Sequence, residues 1–284
     1  MQKRSKLLIS FVVLILIVVY IYYSRSSKVI SKIPEQQMIS FEKQKRVVAI
    51  LDTGVDFNRT ILKDTKLAEY CFSEMRDGIK SLCENIDNGK NLDGAGKNCQ
   101  LVLDMQCGHG TFVAGILANS IPNVKIVSYQ IYSRLNKEIV ITNANYLNAL
   151  DHIINKKQSK EINFEAVNIS WNYDDFFTDN CDDYKPETTQ KIKTLEDLGV
   201  NVYVSTGNNY QKNKIAYPAC ITGVRTVSSR NAQGQIPNHS NSNGQVIYFG
   251  EDKIKSVYPD SDLFVESNGT SFSVPQIISQ QINK

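Results

Sequence analysis

The residues of this chain whose types and spacing could do chemistry start with Ser271, in Ser267-Asn268-Gly269-Thr270-Ser271-Phe272-Ser273-Val274-Pro275. Gly269 permits a tight turn, and a helix from Ser271 onward would set that hydroxyl in the positive end of the helix dipole, beside unpaired backbone N–H groups. Pro275 fits the first turn of such a helix, where the amide it lacks would have no partner. Taken alone, Gly-Thr-Ser before a helix is usually just an N-cap. A serine nucleophile also needs a base and a carboxylate to orient that base, so these must be sought elsewhere in the chain.

Both types occur at comparable junctions. Val47-Val48-Ala49-Ile50-Leu51 is a continuous apolar run, which predicts a buried parallel strand, and it ends in Asp52-Thr53-Gly54. His109 lies between two glycines in Gly108-His109-Gly110-Thr111-Phe112-Val113-Ala114-Gly115-Ile116-Leu117-Ala118, a helix rich in small residues. Of the three histidines, His152 adjoins the apolar stripe of a helix, where it is expected at the solvent edge, and His239 sits in the polar loop Pro237-Asn238-His239-Ser240-Asn241. Only His109 opens a helix where its ring can face a cleft. A fourth junction, Val202-Tyr203-Val204-Ser205-Thr206-Gly207-Asn208-Asn209, runs a strand into a glycine turn with two side-chain amides. Open parallel sheets carry their sites at the C-terminal ends of strands.

Asp52-Thr53-Gly54, Gly108-His109-Gly110-Thr111, the Gly207-Asn208 turn and Gly269-Thr270-Ser271 with Pro275 make the chain resemble the subtilisin-like serine peptidases (subtilases) over roughly 47–278. The order Asp, His, Ser is that of subtilisin and differs from that of other triad folds. The resemblance implies a serine endopeptidase in which Ser271 attacks a peptide carbonyl, His109 takes and returns its proton, and Asp52 fixes the imidazole. It further implies that the Asn208 side chain and the Ser271 N–H hold the oxyanion, with Asn209 the alternative donor. Ser170, Trp171, Asn172, Ser205, Thr206 and Gly207 are the substrate-binding candidates. Subtilases usually have Ser-Leu-Gly where this chain has Ser170-Trp171-Asn172, so an indole and an amide are expected to reshape the pocket. Phe112 replaces a second histidine that the family often carries outside the triad. The short stretch after Pro275 is expected to leave the last helix less well buried. The rival reading from another class is a catalytically silent peptide-binding pseudoprotease on the same fold.

These residues require a scaffold of alternating strands and helices. After the His109 helix, 124–132 reads as a strand, 143–156 as a helix with Tyr146, Leu147, Leu150, Ile153 and Ile154 on one face, and 166–171 as a strand. A helix over 187–198, strands over 200–205, 224–228 and 246–249, and a helix over 271–283 follow. The fold expected is α/β, doubly wound, with a mainly parallel sheet and helices on both faces. The stretch 57–107 reads as a polar, irregular, Cys-rich insertion. Within it, 86–97 is rich in Asp, Asn and Gly. A structural calcium ion is conceivable there by family resemblance, but the acidic spacing does not match an EF-hand loop. No metal ligand set is assigned, and no cofactor is required for the chemistry.

With 284 residues and 42% hydrophobic content, one core is the natural expectation, and a net charge of +3 gives no reason to invoke nucleic acid as a partner. Residues 7–23 are overwhelmingly apolar and follow Lys3, Arg4 and Lys6. They predict a transmembrane signal-anchor, or a signal peptide if cleaved near Ser24-Arg25-Ser26. Residues 24–45 form a linker too short for the folding-assistant propeptide that subtilases commonly carry, and 46–284 form the peptidase domain. The six cysteines include no Cys-x-x-Cys, which predicts disulfides over zinc. Three bridges allow fifteen pairings, of which Cys71–Cys83, Cys99–Cys107 and Cys181–Cys220 are adopted here. The peptidase domain is therefore expected on the oxidising, exoplasmic side of a membrane, periplasmic or extracellular, or secreted.

Overall fold

The apolar run at 47–51 forms strand β1 (Val47–Asp52), every residue of which is buried. The computed structural model describes residues 46–75, 78–83, 105–136, 138–244 and 246–284. The chain divides into two units, Met1–Gln44 and Lys45–Lys284. The first of these, with the apolar segment 7–23, lies outside the described residues, as does the Asp- and Asn-rich stretch 86–97.

After β1 come β2 (Lys66–Cys71), β3 (Ile79–Ser81), a 3-10 turn (Met105–Gly108), α1 (His109–Ser120), β4 (Lys125–Gln130), β5 (Ser133–Leu135) and β6 (Glu138–Val140). The chain continues through α2 (Asn143–Gln158), β7 (Ala166–Ile169), β8 (Phe176–Phe177), α3 (Pro186–Asp197), β9 (Asn201–Ser205), β10 (Ile215–Ala216) and β11 (Arg225–Arg230). It ends with β12 (Tyr248–Glu251), β13 (Lys253–Tyr258), β14 (Ser261–Asn268) and α4 (Thr270–Ile282).

Seven strands form one sheet in the order β12-β11-β9-β7-β1-β4-β2, and every neighbouring pair in it is parallel. Helices cover both sides of the sheet, so both faces of β1 must be apolar, which is why its sequence is an unbroken hydrophobic run and does not alternate. Val48 and Ile50 face α1 and α4, packing with Phe112, Val113, Ile116, Val274 and Ile278. Ala49 and Leu51 face the other side, where Tyr146, Leu150 and Ile153 of α2 and Ile192 and Leu195 of α3 complete a second core. The sheet is therefore doubly wound, as expected, and the C-terminal ends of β1, β7 and β9 lie along one edge.

Several elements differ from expectation. The stretch read as an irregular insertion contains β2, which adds to the edge of the main sheet and buries Ala68 and Tyr70. Its lysine and glutamate mask the strand pattern. The antiparallel pair β13 and β14 also went unread, because β14 is exposed along nearly its whole length and lacks an alternating pattern. Last, α4 is not poorly buried, since every residue from Thr270 to Ser279 is covered. It also starts one residue early, so Pro275 sits beyond the first turn, inside the helix.

Disulfides join Cys71 to Cys83 and Cys181 to Cys220. Cys107 is also disulfide-bonded, while Cys99 lies outside the described residues. Disulfides persist in oxidising compartments, so native protein treated with a thiol-alkylating reagent is expected to take up none before reduction. Labelling of four or more cysteines without reductant would overturn the expectation of an oxidising, exoplasmic location. No helix among the described residues is long and apolar enough to cross a membrane.

Candidate active site

β1 carries Asp52 to its tip, where the side chain is fully buried. One carboxylate oxygen accepts the Thr53 N–H at 2.7 Å, and the two oxygens lie 2.9 and 2.8 Å from His109 Nδ1. The histidine opens α1 directly over that tip. Thr53 Oγ1 donates to the Cys107 carbonyl at 3.1 Å and accepts the Gly110 N–H at 3.1 Å, so the junction is tied on both sides of His109. A Cβ on Gly110 would meet the Gly54 carbonyl at 2.3 Å, so only glycine allows this approach of helix to strand end. Burial of the imidazole disfavours its charged form. The Asp52 charge and hydrogen bond outweigh that, and the pKa is raised from its ordinary 6.5. The ring remains 23% exposed.

Ser271, the second residue of α4, is linked reciprocally to the residue that follows β7. Its hydroxyl donates to the Ser170 carbonyl at 2.9 Å, and Ser170 Oγ donates to the Ser271 carbonyl at 2.7 Å. The interior proline explains the second bond. A helical N–H at position 275 would bond the carbonyl four residues back, and Pro275 has none, so the Ser271 carbonyl is free to accept from Ser170. The next residue, Phe272, packs its ring 5.1 Å from the His109 ring. Among the described residues, no hydrogen bond joins Ser271 Oγ to His109. The structure therefore couples Asp52 to His109 and turns the serine hydroxyl to a neighbouring strand end.

Asn208 and Asn209 are separated by their partners. The Asn208 Oδ1 accepts from the Thr270 N–H at 3.0 Å and from Thr270 Oγ1 at 3.2 Å. That aims its NH2 group away from Thr270, and no acceptor for it occurs among the described residues. The Asn209 NH2 instead meets Asp174 at 3.3 Å. Thr270 was missed as a supporting residue, although it lies inside the Gly-Thr-Ser motif. The tie between it and Asn208 spans 62 positions and exists only once the chain has folded.

The substrate-binding candidates are disposed less simply. Ser170, Ser205, Thr206 and Gly207 are buried at the ends of β7 and β9. Asn172 and Ser205 bond each other through Asn172 Nδ2 to the Ser205 carbonyl at 2.6 Å and Ser205 Oγ to Asn172 Oδ1 at 3.0 Å. The Trp171 indole, expected to reshape the pocket, is turned into the core, where it packs edge-on against Tyr146 at 4.7 Å and Tyr173 at 5.2 Å. His152 is half-buried at the edge of the α2 stripe. It nests among Tyr70, Phe72 and Tyr129, with burial and the nearby Lys156 lowering its pKa to about 4. His239 Nε2 lies 3.1 Å from an Asp252 carboxylate oxygen and takes no part in the Asp52 contact.

The sequence model of the subtilase family matches residues 43–279. The chain belongs to the subtilase family. It is accordingly a serine protease, and its fold is that of solved subtilisin-like enzymes. Sphericase superposes with a TM-score of 0.64 at 13% identity, covering 83% of this chain and 76% of that one. A psychrophilic protease designated S41 gives 0.61 at 17% identity, with 82% and 74% covered. A lanthipeptide protease gives 0.61 at 20% identity, with 82% and 71% covered. No curated protein sequence matches the chain.

Proposed function

We propose that this subtilase is a serine endopeptidase acting on protein or peptide substrates through Asp52, His109 and Ser271, with Asn208 as an oxyanion donor. The observation that carries this reading is the buried Asp52 carboxylate held 2.8 Å from His109 Nδ1, which leaves Nε2 as the ring's basic nitrogen. As Ser271 Oγ attacks the substrate carbonyl carbon, His109 takes the hydroxyl proton on Nε2, and Asp52 stabilises the imidazolium so formed. The carbonyl oxygen then carries negative charge. Donors for it are the Asn208 NH2 and the N–H of Ser271, one of the first-turn amides that a helix leaves unpaired. Collapse of this intermediate expels the amine, which receives the proton from His109. Water repeats the sequence on the acyl-enzyme and regenerates the serine.

Before attack, the Ser271 hydroxyl must leave the Ser170 carbonyl and turn toward His109. The apolar segment 7–23 supports anchoring in a membrane, and the two disulfides support an oxidising, exoplasmic location for the catalytic unit.

The test is hydrolysis of an unstructured protein by the full chain, with and without a serine-directed fluorophosphonate. Hydrolysis that the reagent abolishes supports the reading. Binding of peptide without hydrolysis, and without reaction with the reagent, would establish the silent pseudoprotease instead.

A pH dependence follows. The base works only when neutral, and the partner carboxylate raises the pKa of His109 above 6.5. The acid limb of kcat/KM should therefore have its midpoint above 6.5, with activity rising as pH rises through it. A midpoint well below that value would show that Asp52 does not charge-stabilise the working base.

A further inference from the structure

Asn241 lies in the loop after β11, 33 positions beyond Asn208, and is fully buried. Nearly all its hydrogen-bonding capacity goes to one neighbouring loop. Its Oδ1 accepts the N–H groups of Asn209 at 2.8 Å and Gln211 at 3.0 Å. Its Nδ2 donates to the Thr206 carbonyl at 3.0 Å and reaches Asn209 Oδ1 at 3.4 Å. The backbone N–H donates to the Gly207 carbonyl at 2.9 Å. A side-chain amide offers two donors and an oxygen with two lone pairs, and here all of them are used on residues that bracket Asn208. The fit is close. Gly207 adopts φ +96°, and a Cβ there would come within 2.6 Å of Asn241 Nδ2.

We propose that Asn241 is a positioning residue for the oxyanion donor, holding the backbone on both sides of Asn208 so that its NH2 group stays aimed at the developing charge. This rests on the reading of Asn208 as that donor. The two supports are complementary. Thr270 grips the Asn208 side-chain oxygen from the start of α4, and Asn241 fixes the turn from which that side chain springs. Removal of the Asn241 amide would leave the Asn209 and Gln211 N–H groups seeking new partners, and the turn would shift. A displacement of about 1 Å in a catalytic group can cost on the order of 100-fold in rate. The loss should fall on kcat, because oxyanion contacts form in the transition state and not in the bound substrate.

A double-mutant cycle in the full chain tests this, with kcat and KM measured on an unstructured protein substrate well below each variant's melting temperature. Asn241→Ala should lower kcat by roughly 10- to 100-fold with KM changed less than about threefold. In an Asn208→Ala background, the same substitution should cost less than about threefold more, because the group it positions is gone. If Asn241→Ala does not purify as folded protein, Asn241→Ser carries the same cycle with a short polar side chain retained. Equal losses in both backgrounds, or a rise in KM with kcat unchanged, would overturn the positioning role while leaving the oxyanion reading intact. Asn208→Ala at wild-type kcat would remove the oxyanion reading itself, and this inference with it.

Discussion

Ser271→Ala is expected to abolish nearly all peptide hydrolysis, a loss on the order of a millionfold in kcat for a triad of this type. The fold should survive. Ser271 lies in the first turn of α4, and the change removes one hydroxyl whose partner is the Ser170 carbonyl. One such hydrogen bond is worth about 1 kcal/mol. Ser273 is the internal control. Two residues further round a helix of 3.6 residues per turn is about 200° away. Its hydroxyl indeed meets Ser229 Oγ at 3.0 Å and the Glu251 carbonyl at 3.2 Å, on the side of β11 and β12. Ser273→Ala should therefore lower stability slightly and change kcat by less than roughly tenfold, since nothing it touches reaches His109. Equal activity for wild type and Ser271→Ala would end the protease reading built on that serine.

The second large effect belongs to Asp52→Asn. The substituted side chain can keep the Thr53 N–H bond and nearly the same volume, so folding should be little disturbed. An amide NH2 facing His109 Nδ1, however, makes that nitrogen an acceptor and leaves the proton on Nε2. The imidazole then cannot take the serine proton, and kcat should fall about 10⁴-fold. Loss of the carboxylate also removes what raises the His109 pKa, so the acid limb of kcat/KM should move to lower pH. A loss of only a few fold, with the acid limb unmoved, would take Asp52 out of the mechanism.

How legible the molecule was depends on how local each signal is. The 47–51 run could be read as a buried parallel strand because a strand covered on both faces must be apolar at every position. Asp52 at its tip and His109 at the start of a helix were legible for the same reason, through flanking glycines and patterning within a few residues. The strand β2 was not, since Lys66, Glu69 and the flanking polar residues hide its inward face. The hairpin of β13 and β14 was missed because exposed strands need no hydrophobic alternation. For Trp171, residue type alone could not distinguish a pocket wall from a core side chain. The direction of the chain after β7 decides this, and it turns the indole toward Tyr146. Asn241 and Thr270 lay beyond sequence reading because their partners are 30 or more positions away. A polar residue in a polar loop carries no mark that it will be buried and fully bonded.

The central claim is that Ser271 is the nucleophile, and the most direct measurement is the site of covalent modification. Full-length protein treated with a fluorophosphonate, then digested and mapped by mass spectrometry, should carry one adduct per chain on the Ser271 hydroxyl, with hydrolysis lost in proportion. Asp52→Asn should slow the labelling severely, and Ser271→Ala should abolish it. An adduct on another residue, or full hydrolytic activity with no adduct on Ser271, would contradict the account.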